Sequence, residues 1–241
     1  MRVGRITKHL KDRDWFSVGI DVVIVIVGVF IGIQVANWNE ARQERLSEAQ
    51  YLVRTADEIV LTLAHIEGER QFASESLEVI EAFAAELGRD DANDAALVAA
   101  TGRYLSEGAF FANFRPHRTT FDDLLATGNL DTISDAEIRS GLVRLHSEYE
   151  EASNVIQSNI EWIQQGEDRI YLNFDAFRFD RRTSGLFAER PAEALAQEIR
   201  DLSDVLRRHA AFHYWLKKRS IEVYDAVEPQ AQAVLDLIES D

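Results

Sequence analysis

Hydrophobic and polar positions divide the chain into one unbroken apolar run and a much longer stretch of helical periodicity. From Phe16 to Ala36 the only strongly polar residues are Asp21 and Gln34. At ~1.5 Å per residue this run covers roughly 30 Å, about the hydrocarbon thickness of a bilayer. The pattern predicts a transmembrane helix over residues 15–38. Trp15 and Trp38 mark its two ends, where amphipathic rings favour the headgroup layer.

Beyond the span, apolar positions recur at helical spacing. Leu46, Ala49, Leu52 or Val53, Ala56, Ile59 or Val60, Leu63 and Ile66 make one face, with neither Gly nor Pro between Asn39 and Gly68, so the membrane helix is expected to continue outward. A second run, Phe72 to Leu87, ends at Gly88, and Asp91 or Asn93 is placed to cap a helix over residues 95–105. After an irregular aromatic segment, Thr120 and Asp123 resemble a capping arrangement for a short helix that stops at Gly128-Asn129. Ser134 and Glu137 form an S-x-x-E box before a long helix. Its positions Ile138, Leu142, Leu145, Tyr149, Ala152 and Ile156 alternate steps of four and three, the spacing of bundle seams.

That helix is expected to run to about Phe174, followed by a connection over Asp175 to Arg190. Pro191 suits a first helical turn, and a last helix runs from Asp201 or Asp204 to about Glu239, bent at Pro229. No stretch alternates as strands do. The fold class is all-α: one N-terminal transmembrane helix followed by an antiparallel bundle of three to five helices.

The flanking charges assign an orientation. Arg2, Arg5, Lys8, Lys11 and Arg13 precede the span, whereas Asn37 to Gln43 carries only Arg42 as a positive charge. Basic flanks stay cytoplasmic, so residues 1–14 are expected inside and residues 39–241 on the extracytoplasmic, periplasmic side of a bacterial inner membrane. A cleaved signal peptide is the competing reading. The apolar run is longer than a usual h-region, and cleavage after Ala36 puts Gln34 where a small residue is wanted, which favours an uncleaved anchor.

One stripe of the span, Ser17, Asp21, Val25, Gly28, Gly32 and Ala36, is small and carries the one acid, and Gly28 to Gly32 is a GxxxG. An ionisable group ~7 Å inside the start of the span is costly facing lipid and turns toward protein, water or a headgroup. Two readings stay open. The stripe packs on the transmembrane helix of a second copy or another subunit, or Asp21 reaches the cytoplasmic interface near Lys11 or Arg13.

Composition narrows the chemistry. Net charge is −16, and since the first 14 residues carry +3 the remainder is close to −19, a surface that repels nucleic acid and anionic lipid. The absence of cysteine excludes disulfides, thiolate nucleophiles and Cys-based zinc sites. No Gly-rich phosphate loop, GxSxG or Ser-His-Asp order is present, and no cofactor is implied.

The span ending in Gly32 to Glu40 and the segment Thr119 to Glu150 resemble a family of bacterial single-span proteins catalogued only as a domain of unknown function. The matching elements here are Asn37-Trp38-Asn39-Glu40 and the Leu-x-x-x-Gly-Asn-Leu turn Leu124 to Leu130. The resemblance covers about half the chain. It implies a membrane-anchored helical protein, carries no catalytic residues over, and places Asp21 where relatives hold an acid.

Two constellations remain as candidate sites. His209 and His213, four apart on the last helix among Leu202, Leu206, Leu216 and Val223, have the spacing of a shared metal ion. His146 and Glu150 form a second i, i+4 pair, so antiparallel packing of the two helices makes a site of three nitrogens and a carboxylate conceivable. The alternative is buried neutral histidines bonded to a carbonyl or to Tyr149 or Tyr214. Phe110, Phe111 and Phe114 beside Arg115, His117 and Arg118 are candidates to line a pocket for a small acid, against a loop whose phenylalanines plug the bundle. The basic cluster Arg207, Arg208, Lys217, Lys218 and Arg219 reads as a solvated or ion-paired face. The favoured function is a non-enzymatic accessory subunit docking through its span. The alternative is a ligand-sensing ectodomain signalling through a partner, since 14 inside residues hold no output module.

Overall fold

A computed structural model describes the backbone of residues 6–111, 113–171 and 190–240, and the side chains of 18–111, 113–164 and 190–240. Its described residues form no strands and six α-helices: α1 Ile6–Leu87, α2 Asp94–Arg103, α3 Thr119–Thr127, α4 Ala136–Tyr171, α5 Ala192–Asp201 and α6 Ser203–Ser240. One turn of π-helix, Tyr104–Gly108, follows α2, and a short 3-10 turn, Leu130–Thr132, precedes α4. The protein is all-α. By contacts the chain divides into two units, Met1–Leu52 and Val53–Asp241, and α1 passes through the boundary.

In the first unit, α1 is long and apolar enough to cross a membrane, and its apolar window is entirely unburied by the chain itself. Every side chain from Val18 to Glu40 is exposed. The backbone of Trp15 and Ser17 is helical, while their side chains lie outside the described residues.

In the second unit, three long helices make the bundle. Beyond residue 52, α1 buries Thr55, Ile59, Thr62, Ile66, Ala73, Ser76, Ile80, Phe83 and Leu87, a seam in steps of four and three broken by one step of seven from Ile66 to Ala73. Of the alternatives on the expected face, Leu52 and Ile59 are buried while Val53 and Val60 point outward, and two threonines that a purely apolar pattern passes over point inward. Gly68 does not interrupt the helix, so the two sequence runs are one element. α6 lies antiparallel to α1, as its contacts descend one helix while climbing the other. Arg70 Nε bonds Asp225 at 3.0 Å, Tyr214 bonds Glu81 at 2.9 Å, and Arg207 donates to the Leu87 carbonyl at 3.2 Å. α6 is likewise antiparallel to α4. Gly141 lies so close to Val234 that a Cβ there would meet its Cγ2 at 3.3 Å, while Trp162 of α4 shares a groove with Trp215. The seam Ile138, Leu142, Leu145, Tyr149, Ala152 and Ile156 is buried along its whole length, as its spacing predicts.

The sequence names some of the residues that set the helix ends, Asn93 and Gly128 among them, and passes over others. Asn93 caps α2, accepting from Ala95 N–H at 2.9 Å and Ala96 N–H at 3.4 Å. α4 is capped by Asp135, accepting from Glu137 N–H at 2.7 Å and Ile138 N–H at 2.9 Å, one residue after the Ser134 of the expected box. For α3 the Thr120–Asp123 arrangement does not form. Glu58 of α1 instead accepts from Thr120 N–H at 3.0 Å and from its hydroxyl at 2.9 Å, so the orphan donor at this helix start is satisfied from another helix. Gly128 ends α3 at φ 70°, the left-handed conformation that glycine adopts without Cβ strain. Pro191 precedes α5 as its N-cap rather than entering the first turn, and α6 continues through Pro229. The expected connection over residues 175–190 falls, up to residue 189, outside the described residues.

Candidate functional site

The small-residue stripe on the apolar part of α1 is the first candidate. Asp21, Gly28, Gly32 and Ala36 are exposed, and a Cβ built on Gly28 or Gly32 would meet nothing within 4 Å. The small-residue face is therefore open to whatever surrounds this helix.

The second candidate lies inside the bundle. α6 buries Leu206, Ala210, His213, Lys217, Ser220, Tyr224, Val227, Ala231 and Val234, again in steps of four and three. This seam carries a lysine and a histidine through the core. Lys217 is only 2 % exposed, which corrects its expected place on a solvated basic face. Its ammonium sits 4.3 Å from the centroid of Phe72 and 4.2 Å from that of Phe111, and it donates to the Phe110 carbonyl. Burial pushes its pKa down to about 7, opposed by the charge of Glu69.

One turn earlier, the rings of His209 and His213 stand 4.2 Å apart, centroid to centroid. Burial lowers the pKa of His209 to about 4. It lowers His213 to about 3, helped by the neighbouring His209 and Lys217 and opposed by a hydrogen bond to the Ala109 backbone. Both rings are thus neutral at pH 7. The partner of His209 is neither Tyr149 nor Tyr214. Its Nδ1 pairs with the Tyr104 hydroxyl at 2.6 Å, and Tyr214 is turned to Glu81. Tyr104 reaches this position because the π-turn redirects the chain after α2 and its ring stacks on Phe83 at 4.5 Å. Gly108 closes that turn so tightly that a Cβ would lie 2.9 Å from the Tyr104 ring.

His146 and Glu150 do meet, His146 Nε2 lying 3.5 Å from the carboxylate, but their neighbours are Asp122, Arg118 and the Phe121 ring. Arg118 reaches Asp122 and Glu150, each at 3.4 Å, so a cation already occupies the acidic cluster. The two histidine pairs accordingly sit in different surroundings. Among the described residues no group of three or more His, Asp or Glu side chains is placed to hold a metal ion.

The aromatic segment does not line one pocket. Phe114 is buried between His65, Tyr149 and Tyr224 at ring distances of 6.0, 6.1 and 5.7 Å. Phe111 faces His213 at 5.4 Å, Phe110 is exposed, and Arg115 and His117 are exposed, with His117 held through its backbone N–H to Thr62 at 2.9 Å. Phe114 is buried in the bundle and Phe111 is partly buried, while Phe110 is turned outward.

Sequence reasoning passed over an open groove of about 570 Å³ between α4 and α6, lined by Trp162, Trp215, Glu151, Asn154, Asn159 and Arg219 among others. Trp162 and Trp215 are 53 % and 51 % exposed. The signal was present as two tryptophans off the apolar seams of their helices.

No family model matches this chain, and no curated protein and no solved structure matches it either. The resemblance over Gly32–Glu40 and Thr119–Glu150 therefore rests on the residues that carry it.

Proposed function

We propose that this chain is a membrane-anchored, non-enzymatic accessory subunit. Its first helix spans the inner membrane with the N-terminus inside, and its helical bundle stands on the periplasmic side. The observation that carries the reading is the exposed apolar run from Val18 to Ala36, on which Gly28 and Gly32 leave the backbone open to a second helix. The basic residues before the span support the orientation, and Asp21 on the same face gains from a polar neighbour that lipid does not provide. The partner is the transmembrane helix of a second copy or of another subunit.

The test is crosslinking in native membranes, followed by mild-detergent purification and mass spectrometry of the full chain. Wild type is expected to bring down a stoichiometric membrane partner, and Gly28→Ile with Gly32→Ile to lose it. Unchanged association of that variant refutes the docking face, and a mature N-terminus after Ala36 refutes the anchor itself.

One observation favours a second reading, a ligand-sensing ectodomain. The groove carrying Trp162 and Trp215 has the volume of a small-molecule site. A small molecule retained through purification, in place of a protein partner, selects that reading.

A further inference from the structure

Two tryptophans face one groove between α4 and α6. Trp162 and Trp215 both line its open volume of about 570 Å³, and each keeps about half of its surface exposed. An indole is a large apolar plate, and two of them left in water on one concave surface forgo the burial that a core position gives. Trp215 is also held in place, its ring stacking on Phe212 at 6.2 Å with the planes 23° apart. Ser147, Asn154 and Ser158 follow one face of α4 down to Trp162, and Asn159 lies beside them. Their hydroxyls and carboxamides both donate and accept. Asn159 is 5 % exposed, and its buried Nδ2 has no hydrogen-bond partner. The charges of the groove are mostly engaged elsewhere. Arg219 pairs with Glu222 at 3.0 Å, and Glu150 lies 3.4 Å from Arg118 and 3.5 Å from His146. Glu151 remains, and its charge disfavours an anion.

We propose that this groove binds a neutral sugar. The proposal rests on reading the groove as a ligand site and names the class of ligand. A sugar ring carries apolar C–H groups on its faces and hydroxyls around its edge. It therefore needs an aromatic plate against one face and uncharged donors and acceptors beside it. The groove supplies both, with the two indoles as plates and the serine and asparagine side chains of α4 along the edge. A cation also gains from an indole face, but an ammonium offers no acceptor to the Asn159 amide and meets Arg219 in the same wall. A purely apolar ligand leaves the serines and asparagines it covers without partners. The volume lies within the range of small-molecule clefts.

The experiment is isothermal titration calorimetry on the full chain in nanodiscs of phosphatidylethanolamine and phosphatidylserine, which carry neither sugar nor choline headgroups. Glucose, N-acetylglucosamine and chitotetraose are titrated, with choline chloride and sodium acetate as charged comparisons. Saturable binding is expected for at least one of the sugars and for neither salt. Tighter binding of chitotetraose than of its monomer assigns the groove to a glycan chain, and equal binding assigns it to a single ring. Trp162→Ala and Trp215→Ala fall at half-exposed positions, so both are expected to keep the helix content and to weaken sugar binding about tenfold. No saturable binding of any of the sugars overturns the proposal, as does sugar binding that both substitutions leave unchanged. Choline or acetate binding that depends on the two tryptophans, without sugar binding, overturns the sugar assignment and leaves the groove a ligand site. Absence of binding by all the probes, together with no small molecule retained through purification, overturns both.

Discussion

Replacing Lys217 with methionine tests the packing of the bundle most directly, because it removes a charge and keeps nearly the same volume. Lys217 loses its proton at about pH 7 in the folded chain against an ordinary value of 10.5, chiefly through burial. Its folded pKa is depressed, and it is a cationic group. The unfolded chain therefore holds more protons than the folded one between pH 7 and 10.5, and stability rises with pH across that window. Each unit contributes up to about 1.4 kcal/mol, so over the two units from pH 7.5 to 9.5 the wild type gains on the order of 2.5 kcal/mol. At pH 7 the shift corresponds to a penalty on the order of 4 kcal/mol. The substitution removes that penalty together with the bond to the Phe110 carbonyl and the contacts with Phe72 and Phe111. Such contacts are each worth roughly 1–3 kcal/mol, so together they are of the same order as the penalty and offset its removal at pH 7. The diagnostic is the pH slope. Denaturant unfolding of the full chain in micelles, followed by helical ellipticity, is expected to show wild-type stability climbing from pH 7.5 to 9.5 and the Lys217→Met profile lacking that climb. Parallel profiles for the two proteins would refute the reasoning, because Lys217 would then titrate in the folded chain as it does in water.

Two further outcomes follow from the same interior. His209 and His213 titrate near pH 4 and 3 when folded against an ordinary 6.5, so the unfolded chain takes up protons first and stability falls as pH drops below 6.5. Between pH 6 and 4.5 the unfolding free energy is expected to lose up to about 2.7 kcal/mol per unit, and His213→Gln to halve that slope, measured by the same unfolding series in acetate and MES buffers. Gly108→Ala places a methyl against the buried Tyr104 ring, with Ile80 and Val79 at 3.2 and 3.3 Å, and is expected to destabilise the bundle by about 1–3 kcal/mol, read as a lower denaturation midpoint with unchanged helix content.

The apolar run of the first helix and the heptad-like seam of α4 were both legible along the chain, because each is a one-dimensional pattern: a continuous greasy stretch, or apolar side chains in alternating steps of four and three. The same rule extended through Leu206, Ala210, His213, Lys217, Ser220 and Tyr224 passes through a lysine, and a reading that sorts residues by charge places that lysine outside. Spacing was the better guide there. Thr55 and Thr62 show the same preference of position over polarity.

What tertiary structure decided is everything that depends on a partner far along the chain. Glu58 caps α3 through Thr120, 62 residues further along the chain, Tyr104 rather than Tyr149 or Tyr214 pairs with His209, and the two histidine pairs fall into different clusters. A local pattern states which face of a helix is turned inward. It does not state which residue of another helix stands opposite, because that register is set by how side chains of three helices interlock, and no single helix contains that information.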